Sequence, residues 1–174
     1  MADPVATNQV DVCNAIVTRL IAEISGFNAS TCFLTCQPLQ ELPENIKTGA
    51  VVCSVSPAGG PFDESAYAGG GENVLIEDAA VHVVLYNNVR TDRRRHDVES
   101  LTKASEGLLT VKRLVLKALA GHRLQDGSSN ELLVEHGVMP IQSDSPRSQW
   151  DDEKRRGIGD IGLLFRTPFL WDLS

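Results

Sequence analysis

The chain lacks the patterns that announce most reactions. It has no G-x4-G-K-[ST] phosphate loop, no H-E-x-x-H pair and no G-x-S-x-G elbow. The stretch Ser145-Pro146-Arg147-Ser148 has no matching histidine arrangement. Positive charge is in deficit: 16 Lys and Arg face 23 Asp and Glu, a net charge of −7. That balance argues against general nucleic-acid binding, which leaves a basic footprint. No apolar run approaches the ~20 residues that cross a bilayer. The N-terminal MADPVATNQVD lacks the basic and apolar regions of a signal peptide. These absences predict a soluble protein made in the cytoplasm, with no membrane partner, no metal and no cofactor.

Cysteine is sparse and wrongly spaced for zinc. Cys32 and Cys36 stand four apart, Cys13 and Cys53 are distant, and His82, His96, His122 and His136 are scattered. Zinc sites use tighter pairs. Small buried thiols in a reducing compartment are the expectation, with Cys13 on a helix and the other three on strands.

One motif does match literally. Gly157, Gly159 and Gly162 spell G-I-G-D-I-G, the dinucleotide-binding pattern. That pattern needs a following helix and an acidic residue about 20 positions later. Only twelve residues follow Gly162, Pro168 among them, so the match is accidental. The glycines are expected to allow a close turn or bulge into the last strand.

What the chain has is a strong alternation of elements. With hydrophobic residues at 42% of 174, it has the material for one domain with a real core, spanning residues 1–174. Residues 73–88, NVLIEDAAVHVVLYNN, are its longest β-like run. Val81, Val83 and Leu85 alternate with His82, Val84 and Tyr86, and both sets are mostly apolar, as in a central strand covered on both sides. Glu77 and Asp78 interrupt the run and predict a bulge or a solvated strand end.

Before that run, residues 8–25 carry Val12, Ile16, Leu20 and Ile24 on one helical stripe, capped by Thr7 or Asn8 and stopped at Gly26. Strands are expected at 31–37 and at 49–56, the second ended by Pro57. Residues 39–47 should be irregular. Residues 58–72 hold five glycines and one proline and form a long loop. Phe62 and Tyr67 on it either anchor a partner or tuck back onto the domain.

After the run, residues 89–97 form a charged turn with Arg93, Arg94 and Arg95. A solvated loop is the commoner outcome of such a run; the functional alternative is contact with an acidic neighbour or with phosphate. A helix is expected over 97–120, capped by Asp97 and ended by Gly121. Residues 132–141 can hold a strand ending near Pro140. Residues 142–156 are a hydrophilic loop with Trp150 as its exception, and 159–170 are the last strand. The order α-β-β-β-α-β-β predicts an α+β fold: a mostly antiparallel sheet with two helices packed on it.

This series resembles the tail-terminator (tail-completion) proteins of long-tailed bacteriophages. The helix VDVCNAIVTRLIAEI, the early strands, the Gly-rich loop, the long strand AVHVVLYNN, the long helix and the closing strand carry the resemblance, which covers nearly the whole chain. It implies a structural protein and not an enzyme. Such proteins form hexameric rings that cap the tail tube, stop its polymerisation and join tail to head. The implied partners are further copies of the chain, the tail tube protein and the head-tail connector or neck protein. DNA passes through the lumen without specific binding. The implied location is the virion tail. The contact residues it suggests are Phe62, Asp63, Glu64 and Tyr67 in the Gly-rich loop, Arg93, Arg94 and Arg95 in the basic turn, and Trp150. In a ring the basic turn would face the acidic loops of a neighbour. Competing readings are a neck or head-completion protein, a ligand-binding domain or enzyme with a pocket at His82 and Tyr86, and a nucleic-acid module on Arg93 to Arg95. His82 and Tyr86 lie about 13 Å apart on an ideal strand, too far for direct contact.

Overall fold

A computed structural model of the chain describes residues 8–36, 49–62, 74–89, 91–104, 107–125, 131–133 and 137–172, with the backbone alone at 74–75 and 170–172. Among the described residues there are three helices and eight strands: α1 (Gln9–Glu23), β1 (Cys32–Leu34), β2 (Val51–Gly59), β3 (Val74–Glu77), β4 (Ala80–Val89), α2 (His96–Thr102), α3 (Leu108–Leu119), β5 (Met139–Ser143), β6 (Arg147–Asp151), β7 (Arg156–Arg166) and β8 (Phe169–Asp172).

The fold is α+β, and the main sheet is mixed. It runs β1-β2-β4-β7-β5, with β6 on the same side of β7 as a continuation of that edge. β1 pairs with β2 in parallel, and the remaining pairs are antiparallel. The expected mostly antiparallel sheet is matched in part, because one pair of the mixed sheet is parallel, and the two helices and the order α-β-β-β-α-β-β are corrected to the three helices and the order above. β4 is the central strand that its two apolar faces predict. Val81, Val83 and Leu85 join α1 and α3 in the main core, while Val84 and Tyr86 pack with Val52 and Phe33 in a second cluster.

The start of α1 follows local chemistry. The Asn8 side chain accepts from the Asp11 N–H at 3.0 Å, and Asp11 Oδ2 accepts from the Asn8 N–H at 3.4 Å, a capping box that satisfies two orphan donors. Val12, Ile16 and Leu20 are then fully buried.

Several boundaries differ from expectation, each for a physical reason. The helix expected over 97–120 is two helices. A Cβ at Gly107 would lie 2.7 Å from the Leu101 carbonyl oxygen and from Lys103 N, so the chain folds back there and α2 and α3 pack on each other. Asp97 does not cap; α2 begins directly from the 93–95 turn with Arg95 at its N-cap. Pro57 does not end β2, which continues to Gly59 through a register shift. Cys36 lies beyond the short β1 and is exposed, unlike Cys13, Cys32 and Cys53. The strand expected over 132–141 begins only at Met139, and Pro140 is accommodated at a register shift on the sheet edge.

The run at 73–88 divides at Asp78. β3 leaves the main sheet and pairs with β8. β7 breaks at the same level: the Thr167 N–H donates to the Ala79 carbonyl at 2.8 Å, and Arg166 pairs with Asp78. Both chains therefore turn one corner together. Glu77 is buried and Asp78 is ion-paired, which replaces the expected solvated strand end.

Candidate functional site

The region expected to be a loop over 142–156 is where the site is built. Residues 147–151 and 156–160 pair as a hairpin around a four-residue turn, with Asp151 opposite Arg156 and Arg147 opposite Asp160. The hydrophilic composition concealed β6 because it is an edge strand with little to bury. This hairpin brings Trp150 to the 93–95 turn, more than fifty positions earlier in the chain.

Two of the three glycines of the literal dinucleotide motif explain the approach, while Gly162 faces Asp144. A Cβ at Gly157 would lie 2.9 Å from His96 Cβ, and one at Gly159 would lie 2.8 Å from Asn87 Oδ1 and 3.0 Å from Leu108 Cδ1. Absent side chains thus let α2 lie directly on β7. They open room for a helix and do not form the expected turn or bulge. Asn87, fully buried, donates to the Ser100 carbonyl at 2.6 Å and ties α2 to β4.

With α2 so placed, His96 and Trp150 stack at a tilt with ring centroids 5.8 Å apart. His96 Nδ1 lies 2.7 Å from the Arg93 carbonyl oxygen, and its Nε2 lies 2.9 Å from Asp97 Oδ1. The Trp150 indole N–H donates to Asp152 Oδ1 at 3.0 Å, and Arg93 approaches the same oxygen at 3.3 Å. One carboxylate therefore bridges two residues that the sequence singled out separately. Arg156 donates to Asp151 Oδ2 at 3.1 Å. The Lys154 N–H, donating to Asp151 Oδ1, holds that carboxyl below the usual range, and the Arg156 guanidinium adds to the effect.

Between the two turns is a cleft of about 850 Å³, lined by residues 91–93, Trp150 and residues 152–156. Two basic turns meet there: Arg93 of the first lines the cleft, with Lys154, Arg155 and Arg156 of the second. Arg93 is paired with Asp152, Arg95 with Glu99 at 3.0 Å, and Arg156 with Asp151. Arg94, Lys154 and Arg155 make no ion pair among the described residues. The triplet Lys154 to Arg156 was not singled out in the sequence, because the turn at 152–155 holds no Gly or Asn that would mark a hairpin. Chemically the cleft presents guanidinium and ammonium donors beside an indole face. Those groups recognise carboxylates, and they hold no nucleophile set against a base.

The other expected residues fall elsewhere. Phe62 is 53% exposed and bridges to Glu77, away from the cleft. Asp63, Glu64 and Tyr67 lie outside the described residues. His82 and Tyr86 share one face of β4. Burial, and next the Asp160 carboxylate, push the Tyr86 phenol up to about 12, so it stays neutral beside Ser54. Among the described residues no group of His, Cys, Asp and Glu is arranged to hold a metal, and no helix is long and apolar enough to cross a membrane. No family model matches the chain, and no curated protein matches it.

Proposed function

We propose that this chain is a structural protein of a long-tailed bacteriophage, a tail terminator that assembles head to tail into a ring of about six subunits. In this reading it caps the tail tube, ends its polymerisation and joins the tail to the head. It is not an enzyme, needs no cofactor, and resides in the virion tail after synthesis in the host cytoplasm. Its partners are the tube protein on one side and the connector or neck protein on the other.

The resemblance in the sequence suggests the reading, and one structural observation carries it: two basic turns, remote in sequence, meet at one corner of a protein with net charge −7. A ring closed by head-to-tail contacts joins two different patches, and those patches bind best when their charges are opposite. The corner, where Arg93 and Lys154 to Arg156 outnumber Asp92, Asp152 and Glu153, supplies the more basic patch and the acidic remainder supplies the other. The same acidic balance suits a lumen that passes DNA without gripping it. A neck or head-completion protein would use the same corner. A small-anion-binding domain is favoured by the cleft volume, which falls within the ~300–1,000 Å³ of ligand sites.

Light scattering followed by negative-stain imaging, with and without tail tubes, tests the proposal. The expected result is a ring of about six chain masses, or a monomer that becomes a ring on tube ends. A stable monomer that ignores tubes, and whose melting temperature rises with a small anion, would transfer the cleft to ligand binding. Reversing the charge of Arg93, Arg94 and Arg95 together is expected to abolish the ring; an unchanged ring would remove those residues from the contact.

A further inference from the structure

Arg155 is the single non-glycine residue with positive φ among the described residues, at φ 50°. The left-handed conformation brings the Cβ of an L-residue too close to its own carbonyl oxygen. Turn positions of this kind are usually filled by glycine or asparagine. This chain follows that habit elsewhere: Gly26, Gly49, Gly59 and Gly121 all occupy positive φ. Arg155 closes the four-residue turn between Asp151 and Arg156, where glycine would fit without strain.

Among the described residues the guanidinium has no partner that offsets the strain. Two of the nearby carboxylates are already committed, Asp151 to Arg156 and the Lys154 N–H, Asp152 to Trp150 and Arg93, and neither Asp92 nor Glu153 of the same cleft pairs with Arg155. Arg155 makes no ion pair among the described residues. It is exposed at the lip of the cleft, one turn from the Trp150 indole. Strained backbone that persists without a local reason points to a functional one.

We infer that Arg155 is a contact residue for a carboxylate on a second copy of this chain, kept in an unfavourable backbone conformation because that contact uses its guanidinium. The inference rests on the ring reading for the identity of the partner. Three points favour a carboxylate of another copy. Arginine binds carboxylates in a bidentate fork. The chain carries 23 acidic residues against 16 basic ones, so a second copy offers many carboxylates. Asp92, Asp152 and Glu153 also line the cleft, and their charge would repel a polyphosphate while tolerating a single carboxylate.

The test compares Arg155→Gly and Arg155→Lys with the full-length parent, reading melting temperature and assembly in the same samples. Arg155→Gly removes both strain and charge. It is expected to melt about 2–5 °C higher and to assemble about tenfold more weakly or worse. Arg155→Lys keeps strain and charge but loses the bidentate fork, and is expected to show no gain in melting temperature and an assembly loss smaller than that of Arg155→Gly. If the parent forms rings and Arg155→Gly forms them equally well, the inference is wrong and the ring reading stands. If the parent forms no ring, the ring reading fails, and binding of a synthetic peptide of residues 61–72 (Asp63, Glu64 and Glu72) decides the inference. Peptide binding that weakens about tenfold in Arg155→Gly supports it. No peptide binding, or binding of duplex DNA that is lost in Arg155→Gly, overturns it.

Discussion

Over residues 161–165, β7 turns Ile161, Leu163 and Phe165 toward α1 and α3, and all three are buried to within 2%. Over residues 157–159 the same face of the same strand offers only the hydrogens of Gly157 and Gly159, and α2 comes down onto the backbone. The first half fills space with hydrocarbon, at about 25 cal/mol per Å² removed from water. The second half leaves space empty so that a polar helix can approach, and holds it with Asn87 and Ser100. Filling contributes stability. Emptying contributes position, because α2 carries His96 and, just before it, the Arg93 to Arg95 turn. The cleft therefore depends on the weaker half of the strand.

The largest expected effect lies in the filled half. Phe165→Ala should destabilise by about 3–5 kcal/mol, read as a lower urea midpoint, with the cleft unchanged in any protein that still folds. A cost under ~1 kcal/mol would mean that this half is not the main core. In the emptied half the sense of the substitution reverses. Gly159→Ala places a methyl group against Asn87 and Leu108 and should cost about 1–3 kcal/mol by overpacking. It should also shift α2 and change the Trp150 emission, because His96 moves with the helix. A stable Gly159→Ala protein with unaltered emission would break the contrast between the two halves.

A smaller effect distinguishes the face away from the helices. Tyr86 lies opposite Asp160, between the two halves. Its folded pKa is raised from 10.0 to about 12. Folding therefore favours the protonated phenol; that stability is complete below pH 10 and is lost as pH climbs toward about 12. Tyr86→Phe should flatten this alkaline slope in denaturation midpoints taken from neutral pH upward. Cys13, raised by burial to about 12, titrates in an overlapping window and leaves a residual slope. An unchanged slope would mean that Tyr86 reaches water in the folded protein.

The smallest stability effect belongs to the cleft itself. Arg93 and Asp152 are 72% and 71% exposed, and exposed pairs contribute about 0–1 kcal/mol. Asp152→Asn should leave the melting curve within about 0.5 kcal/mol. Ring formation should nevertheless change, since the substitution removes the charge that pairs with Arg93 while the amide oxygen can still accept from the Trp150 indole. A change in stability without a change in assembly would reverse these roles.

Much of the framework was legible in the chain. Asn8 and the 3.6-residue stripe from Val12 to Leu20 define α1, because capping and burial are local, periodic effects. The doubly apolar alternation at 81–86 marks β4 as central for the same reason. Legibility failed where neither period nor cap was available. The edge strands β5 and β6 bury little, so they carry no apolar alternation. Gly107 was absorbed into a helical stripe that continues on both sides of it. The break at Asp78 is set by a partner, Arg166, 88 positions away.

The site divides along the same line. Composition and local pattern by themselves determined an acidic α+β protein with a basic turn at 93–95 and an isolated Trp150. Only the tertiary structure decided that these meet, that a second basic triplet joins them, and that Asp152 bridges Arg93 to Trp150. The physical reason is that charge runs and turns have no periodicity that encodes a distant neighbour. Their pairing is settled by which strands the core brings side by side, here β6 on β7, and by how closely two glycines let α2 approach.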